Sequence, residues 1–297
     1  MTIPVSARFR SLLEGGELIV APGAYDALTA RIIERTGFSA VYLGANALGI
    51  GRSKAQPFVT LTETRDSVAS VSRAVDLPII VDAGAGFGDP AHVFQAVREL
   101  EAAGAAALHI DDQPYPKQPR YHVGQGQVLP VDVVVEKLIV ALQARRSEDF
   151  MIIARTDSLR VTHSIDETIA RAQAFAAVGV DGLLVLDLTP EQAPVVKMAL
   201  PDIPLGWMGG VTTPIASVRE IAAAGFSLAL YPFNTVAAVA AAVADLWKGL
   251  KVTGEIGQPD ELLARMRPEL LEIVQMRKFV DIEQAAGQST ERIHPHA

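Results

Sequence analysis

Eight short apolar runs, each followed by an amphipathic segment, constrain the architecture of this chain more tightly than any other feature. The runs are Leu18 to Ala21, Ala40 to Gly44, Pro78 to Ala83, Ala107 to Asp112, Phe150 to Arg155, Gly182 to Asp187, Pro204 to Met208 and Leu228 to Tyr231. Continuous apolar runs of this length read as strands buried on both faces. Helical segments lie between them, roughly over 25–36, 62–74, 91–103, 132–146, 166–178, 191–200, 213–224 and 236–250. Gly37, Gly104, Gly179 and Gly225 follow four of these, where a helix ends on a left-handed residue. Right-handed crossovers leave few ways to close such a series, so the pattern predicts an α/β fold, a (β/α)8 TIM barrel spanning residues 1–253. An open doubly wound sheet is the rival.

Past the eighth helix, 254–260 reads as a linker and 261–283 as further amphipathic helix, broken or kinked at Pro268, with a polar tail from Gln288. The apolar residues of this 254–297 extension, among them Leu262, Leu263, Met266, Leu270 and Leu271, need a second surface to bury them. A neighbouring subunit supplies one, so a homo-oligomer is expected.

Composition removes several classes of function. With 49% hydrophobic residues the chain has ample material for a large core. Its net charge of -8, without a Lys/Arg block, argues against nucleic acid and anionic membrane as partners. Met1 to Arg10 do not form a secretory leader, and no apolar run approaches the roughly 18 uncharged residues of a membrane helix, so a cytoplasmic protein is expected. The absence of cysteine excludes disulfides, thiolate ligands and a thiol nucleophile.

Three consecutive strands end in chemistry. Asp82 follows Ile79-Ile80-Val81, Asp111 and Asp112 close the fourth strand, and Arg155 follows Ile152-Ile153-Ala154. At the C-terminal mouth of a barrel such groups converge, and hard oxygen donors there suit Mg2+ or Mn2+. The competing reading makes the aspartates helix caps or partners of Arg155. Arg155 offers a bidentate grip on a substrate carboxylate, or else a structural pair with Asp157 or Asp187. Acid and cation together point to a small anionic substrate.

Two connections after strand C-termini, Ala45 to Leu61 and Gln113 to Pro130, exceed the usual length of about two to six residues and overhang the mouth. The second carries Lys117, Tyr121 and His122, each able to act as a general acid or base, or else to lie on a solvated loop. Tyr42-Leu43-Gly44-Ala45-Asn46 presents small residues and backbone N–H groups suited to a carboxylate or enolate oxygen, with Tyr42 and Tyr231 alternatively core residues. In the glycine-rich turn Gly84 to Pro90, Asp89 is expected to cap the next helix and Pro90 to start it. His109 reads as a hydrogen-bonded core residue; His92, His163, His294 and His296 read as surface.

In order along the chain, Val81-Asp82-Ala83-x-x-Gly86-Phe87-Gly88, His109-Ile110-Asp111-Asp112-Gln113, Ala154-Arg155-Thr156-Asp157 and Leu230-Tyr231-Pro232 resemble the isocitrate lyase and phosphoenolpyruvate mutase superfamily. The resemblance implies a Mg2+-binding barrel that makes or breaks a C–C or C–P bond of a small 2-hydroxy or 2-oxo carboxylate through an enolate, commonly as a helix-swapped tetramer. It implies Asp82 as metal aspartate, Asp111 in a metal-shell glutamate's place, Arg155 as carboxylate ligand, Tyr42, Gly44, Ala45 and Asn46 as cradle, and Lys117 on a gating loop. Departures accompany it, one being Leu186 or its neighbour Asp187 where a glutamate usually ends the sixth strand. The loop lacks the methylisocitrate-lyase cysteine, leaving Tyr121 or His122 as proton donor; Gly84 stands where a second acidic residue is usual; and Ala55 replaces a mutase aspartate. A C–C lyase is therefore expected, with C–P chemistry or an inactive carboxylate-binding barrel as alternatives.

Overall fold

A computed structural model describes residues 3–210 and 214–293 of the chain; His294, His296 and the expected helix start at Thr213 lie outside the described residues. Strands β1 (Ile19–Ala24), β2 (Val41–Leu43), β3 (Ile79–Asp82), β4 (Ala107–Asp111), β5 (Met151–Thr156), β6 (Gly182–Val185), β7 (Leu205–Met208) and β8 (Leu228–Tyr231) pair in parallel, in chain order. β8 returns to β1, so the barrel closes as expected and the open sheet is excluded.

Alternation along the strands decides what reaches the interior. Tyr42, Ile80, Ala107, Met151, Ile153, Leu184 and Leu230 pack in one cluster, inside the barrel. Their neighbours Leu43, Ile79, Val81, Leu108, Ile110, Ile152 and Ala154 pack in another, against helix residues such as Val68, Val97 and Leu138. Because side chains alternate with a period of two, Asp82, His109, Asp111 and Arg155 continue the interior rows at their C-terminal ends. The register pairs Asp82 with His109 and Asp111 with Arg155, which brings these side chains to one mouth.

A helix at Val5–Glu14 was not anticipated. Val5, Phe9, Leu12 and Leu13 share its apolar face, and Phe9 and Leu13 join Ile19 and Leu228 in the interior cluster at the opposite end of the barrel. Burial of a side chain such as Phe9 contributes about 1.5–3 kcal/mol. The long connection after β2 also carries structure, a helix at Ala45–Gly51 and a 3-10 turn at Gln56–Phe58. The connection after β4 holds a 3-10 turn at Pro119–Val123 and is tied down where the Leu129 N–H donates to the Asp112 carbonyl at 2.8 Å. Gly37, Gly104, Gly179 and Gly225 all take positive φ after their helices. Asp89 holds the N-cap position before Pro90, as expected, but its side chain makes no capping bond.

The chain divides into two compact units, residues 1–238 and 239–297, with the division inside the helix Asn234–Thr253. Only Val236 of that helix is buried, leaving Val239, Val243, Trp247 and Val252 exposed. The second unit continues through helices Asp260–Ile273 and Met276–Ile293. Of the two outcomes expected at Pro268, the break is corrected. Proline costs that helix one hydrogen bond without ending it, and the chain breaks at Gln275, whose φ of 56° leaves the helical region. Among the described residues no helix is long and apolar enough to cross a membrane.

Candidate active site

A cavity of about 650 Å³ opens at the C-terminal ends of the strands. Tyr42, Gly44, Asn46, Asp82, Tyr121, His122 and Arg155, all singled out in the sequence, line it together. Ala45 and Lys117 lie beside it, lining with Asp82 a small adjoining hollow of about 20 Å³. Asp111 is buried behind them and reaches this region through its ion pair with the Lys117 ammonium. Arg160, His163, Leu186, Asp187, Met208 and Phe233 complete much of the wall. His163 is exposed as expected, but on the cavity side. The sequence did not mark Arg160, and read His163 only as surface, because both follow β5 on the short helix Ser158–Thr162 and its C-cap, outside any regular strand pattern.

The buried polar groups form a connected network. Arg155 pairs with Asp157 rather than Asp187, through Nε to Oδ1 at 2.7 Å and Nη2 to Oδ2 at 3.1 Å. The same Asp157 accepts from Gln113 Nε2 at 2.5 Å and from the Tyr121 hydroxyl. Asp112 stands behind it, accepting from the Asp157 N–H at 2.9 Å and the Thr156 hydroxyl at 2.6 Å, so of the two acids ending β4 it is a structural one. Asp187 instead takes Arg160 by both carboxylate oxygens, each at 2.6 Å. His109 is the hydrogen-bonded core residue expected, with Nε2 2.9 Å from the Tyr42 hydroxyl. Its Nδ1 is buried without a hydrogen-bond partner, 3.9 Å from Asp82 Oδ1.

Burial and neighbouring charge divide the ionisation states. Burial pushes His109 down to about 4, leaving it neutral near pH 7. Burial opposes ionisation of Asp157, yet the Arg155 guanidinium outweighs it and holds the carboxyl at about 2. For Asp82 the same contest ends below the ordinary carboxylate range, burial being overcome by His109, Arg155 and Lys117. Asp112 goes the other way, raised to about 7 by burial and by Asp157. Burial and Asp157 push the Tyr121 phenol upward, whereas burial and the Lys117 charge lower His122.

Three structural observations bear on whether these residues fit a divalent cation. First, Asp82 Oδ1 accepts from the Gly84 N–H at 2.8 Å and Oδ2 from the Ala45 N–H at 3.3 Å, leaving each oxygen a further lone pair. Second, a Cβ on Gly84 would lie 3.0 Å from Lys117 Cε, so the space of the missing second carboxylate borders the lysine. Third, among the described residues no three His, Asp or Glu side chains converge as a ready-made metal cage. Two carboxylates, Asp82 and Asp111, are a sparse oxygen set of the kind Mg2+ takes, since that ion keeps several of its waters.

The chain matches the model of the phosphoenolpyruvate phosphomutase family over residues 9–251. It is 35% identical over 253 residues to the 2,3-dimethylmalate lyase of Eubacterium barkeri, covering 83% of this chain and 86% of that protein. Identity to the 2-methylisocitrate lyase of Aeropyrum pernix is 37% over 238 residues, covering 76% and 73% respectively. Its fold superposes on oxaloacetate acetylhydrolase in complex with the inhibitor 3,3-difluorooxalacetate with a TM-score of 0.87, at 28% identity, over 96% of this chain and 99% of that one.

Proposed function

Since the chain belongs to the phosphoenolpyruvate phosphomutase family and is a lyase of the phosphoenolpyruvate mutase/isocitrate lyase superfamily, we propose that it cleaves a C–C bond of a small 2-hydroxy or 2-oxo carboxylic acid, by retro-aldol cleavage or decarboxylation, through an enolate. The observation that carries this reading is the single cavity in which Arg155 shares the wall with Asp82, Gly44 and Asn46. The relatives' substrates, 2,3-dimethylmalate and 2-methylisocitrate, are carboxylates of the same general type.

Arg155 neutralises one substrate carboxylate. Asp157 occupies its Nε and Nη2, so the carboxylate binds at the Nη1 edge beside Met208, whose Sδ is 3.8 Å away. Tyr42, Gly44, Ala45 and Asn46 cradle the α-oxygen end. Asp82 and Asp111 would hold Mg2+ (or Mn2+), which when bound supplies Lewis acidity at the α-oxygen. In a 2-hydroxy acid the hydroxyl gives up its proton, the C2–C3 bond breaks, and the electron pair stays on the carbon beside the departing carboxylate as the enolate. A proton returned to that carbon completes the balance. His122 is the carrier we assign, because its imidazole lines the cavity, whereas the Tyr121 hydroxyl is committed to Asp157.

Carbon–phosphorus chemistry is the weaker reading, since Gly84 and Ala55 offer no carboxylate at two positions a mutase uses. We further propose a cytoplasmic homotetramer that exchanges the last barrel helix, supported by the exposed Val239, Val243 and Trp247 on Asn234–Thr253. Turnover on a panel of malate and citrate homologues with Mg2+ present tests the activity. Release of a 2-oxo acid from one of them is expected, and no turnover across the panel would contradict the assignment.

A further inference from the structure

The residue that most alters the character of this site is one the reaction above does not use. Lys117 is buried, its side chain only 8% exposed, and its ammonium is paired with Asp111, whose side chain is wholly buried. It also borders Gly84: a Cβ there would lie 3.0 Å from Lys117 Cε and 3.7 Å from Nζ. The ammonium thus stands beside the space a second carboxylate would fill and against one of the two carboxylates that remain. Asp111 Oδ1 accepts from the Gln113 N–H at 3.2 Å, and Oδ2 is the oxygen that faces the ammonium. A lysine and a divalent cation cannot both use Asp111 Oδ2.

We infer that Lys117 gates the cation site: Asp111 holds the Lys117 ammonium in the free enzyme and exchanges it for the divalent cation. The inference rests on the proposed role of Asp82 and Asp111. Two consequences follow from the charges alone. The free enzyme binds the cation weakly, since binding must first displace a buried ion pair. Cation binding also releases Lys117, and with it the stretch from Pro114 to Gly124 that carries Tyr121 and His122. Gly84 belongs to the same device. With φ at 53° it occupies a region that aspartate tolerates better than most side chains, and the nearest obstacle to a new Cβ is the far end of the flexible Lys117.

The test is direct Mn2+ binding to the full chain, by titration calorimetry and by water-proton relaxation, without substrate turnover. Lys117→Met should tighten Mn2+ at least about tenfold, whereas Lys117→Arg, which keeps the charge, should stay near the wild-type affinity. Gly84→Asp should also tighten it. Equal or weaker binding by Lys117→Met would overturn the gate. Should that variant fail to fold, as judged by circular dichroism, Gly84→Asp decides, and an unchanged affinity there overturns it. Absence of Mn2+ binding in every variant would overturn both the gate and the metal assignment, while oxalate binding in the same metal-free samples would leave the carboxylate site standing.

Discussion

Tyr42 and His109, 67 residues apart in the chain, meet inside the barrel with the phenol oxygen 2.9 Å from Nε2. Both are fully buried or nearly so, and the tyrosine is a wall of the cavity. Burial and Asp82 raise the Tyr42 phenol well above its usual range, so it stays protonated. Tyr42→Phe leaves Nε2 buried without a partner alongside an already unpaired Nδ1. A loss of about 1–3 kcal/mol in urea unfolding is expected, together with lower turnover. Unchanged stability would show that the bond contributes nothing.

The neutrality of His109 makes a prediction in pH. Its pKa in the fold is about 4, below the ordinary value of 6.5. A group depressed in this way contributes stability that is fully present above about 6.5 and lost as pH falls through about 4, because the unfolded chain takes up the proton first. Melting temperatures recorded across that window should fall for the wild type. They should fall less steeply for His109→Gln; identical slopes would remove His109 from the acid response.

Asp157 is the common partner of Arg155, Gln113 and Tyr121. Asp157→Asn removes its charge and leaves the Arg155 guanidinium buried without the carboxylate it is paired to. Breaking one side of a buried pair costs about 3–5 kcal/mol, so the variant should unfold at markedly lower denaturant. Its KM should rise as well, since Arg155 is no longer held at its angle. A variant as stable as wild type would mean that substrate-free Arg155 finds another anion.

For the proton carrier the two loop residues diverge. His122→Ala should lower kcat by about 10²–10⁴ and abolish the acidic limb of the pH–rate profile, the ordinary range for a lost general acid–base. Tyr121→Phe should act more through KM, because its hydroxyl supports Asp157 and Arg160 passes within 3.5 Å of it. Equal, small effects in both would take this loop out of the chemistry.

The parts of this site legible in the sequence are those that end an apolar run. Asp82 and Arg155 stand out because a charge directly after three buried residues needs a purpose, and the strand period then aims them into the barrel. The barrel itself follows from repetition. What escaped is set by contacts distant in sequence or by short irregular segments. Nothing near Asp111 announces that Lys117 folds back onto it, since the path of a loop is decided by where its far end is tied, here Leu129 to Asp112. Arg160 sits on a five-residue helix too short for periodicity to show, and His163 at its C-cap. The break expected at Pro268 did not occur because a missing hydrogen bond is a cost a long helix can absorb.

The central claim is that this cavity binds an enolate-like dianion between Arg155 and the Asp82 end of the barrel. Oxalate, a planar mimic of such an enolate, is the direct probe, titrated calorimetrically with Mg2+ present into wild type and Arg155→Lys. Saturable binding to the wild type, weakened at least about tenfold in Arg155→Lys because a lysine cannot pair with Asp157 and also present a second N–H edge to the ligand, is the predicted result. No binding to the wild type, or equal affinity in both, would contradict it.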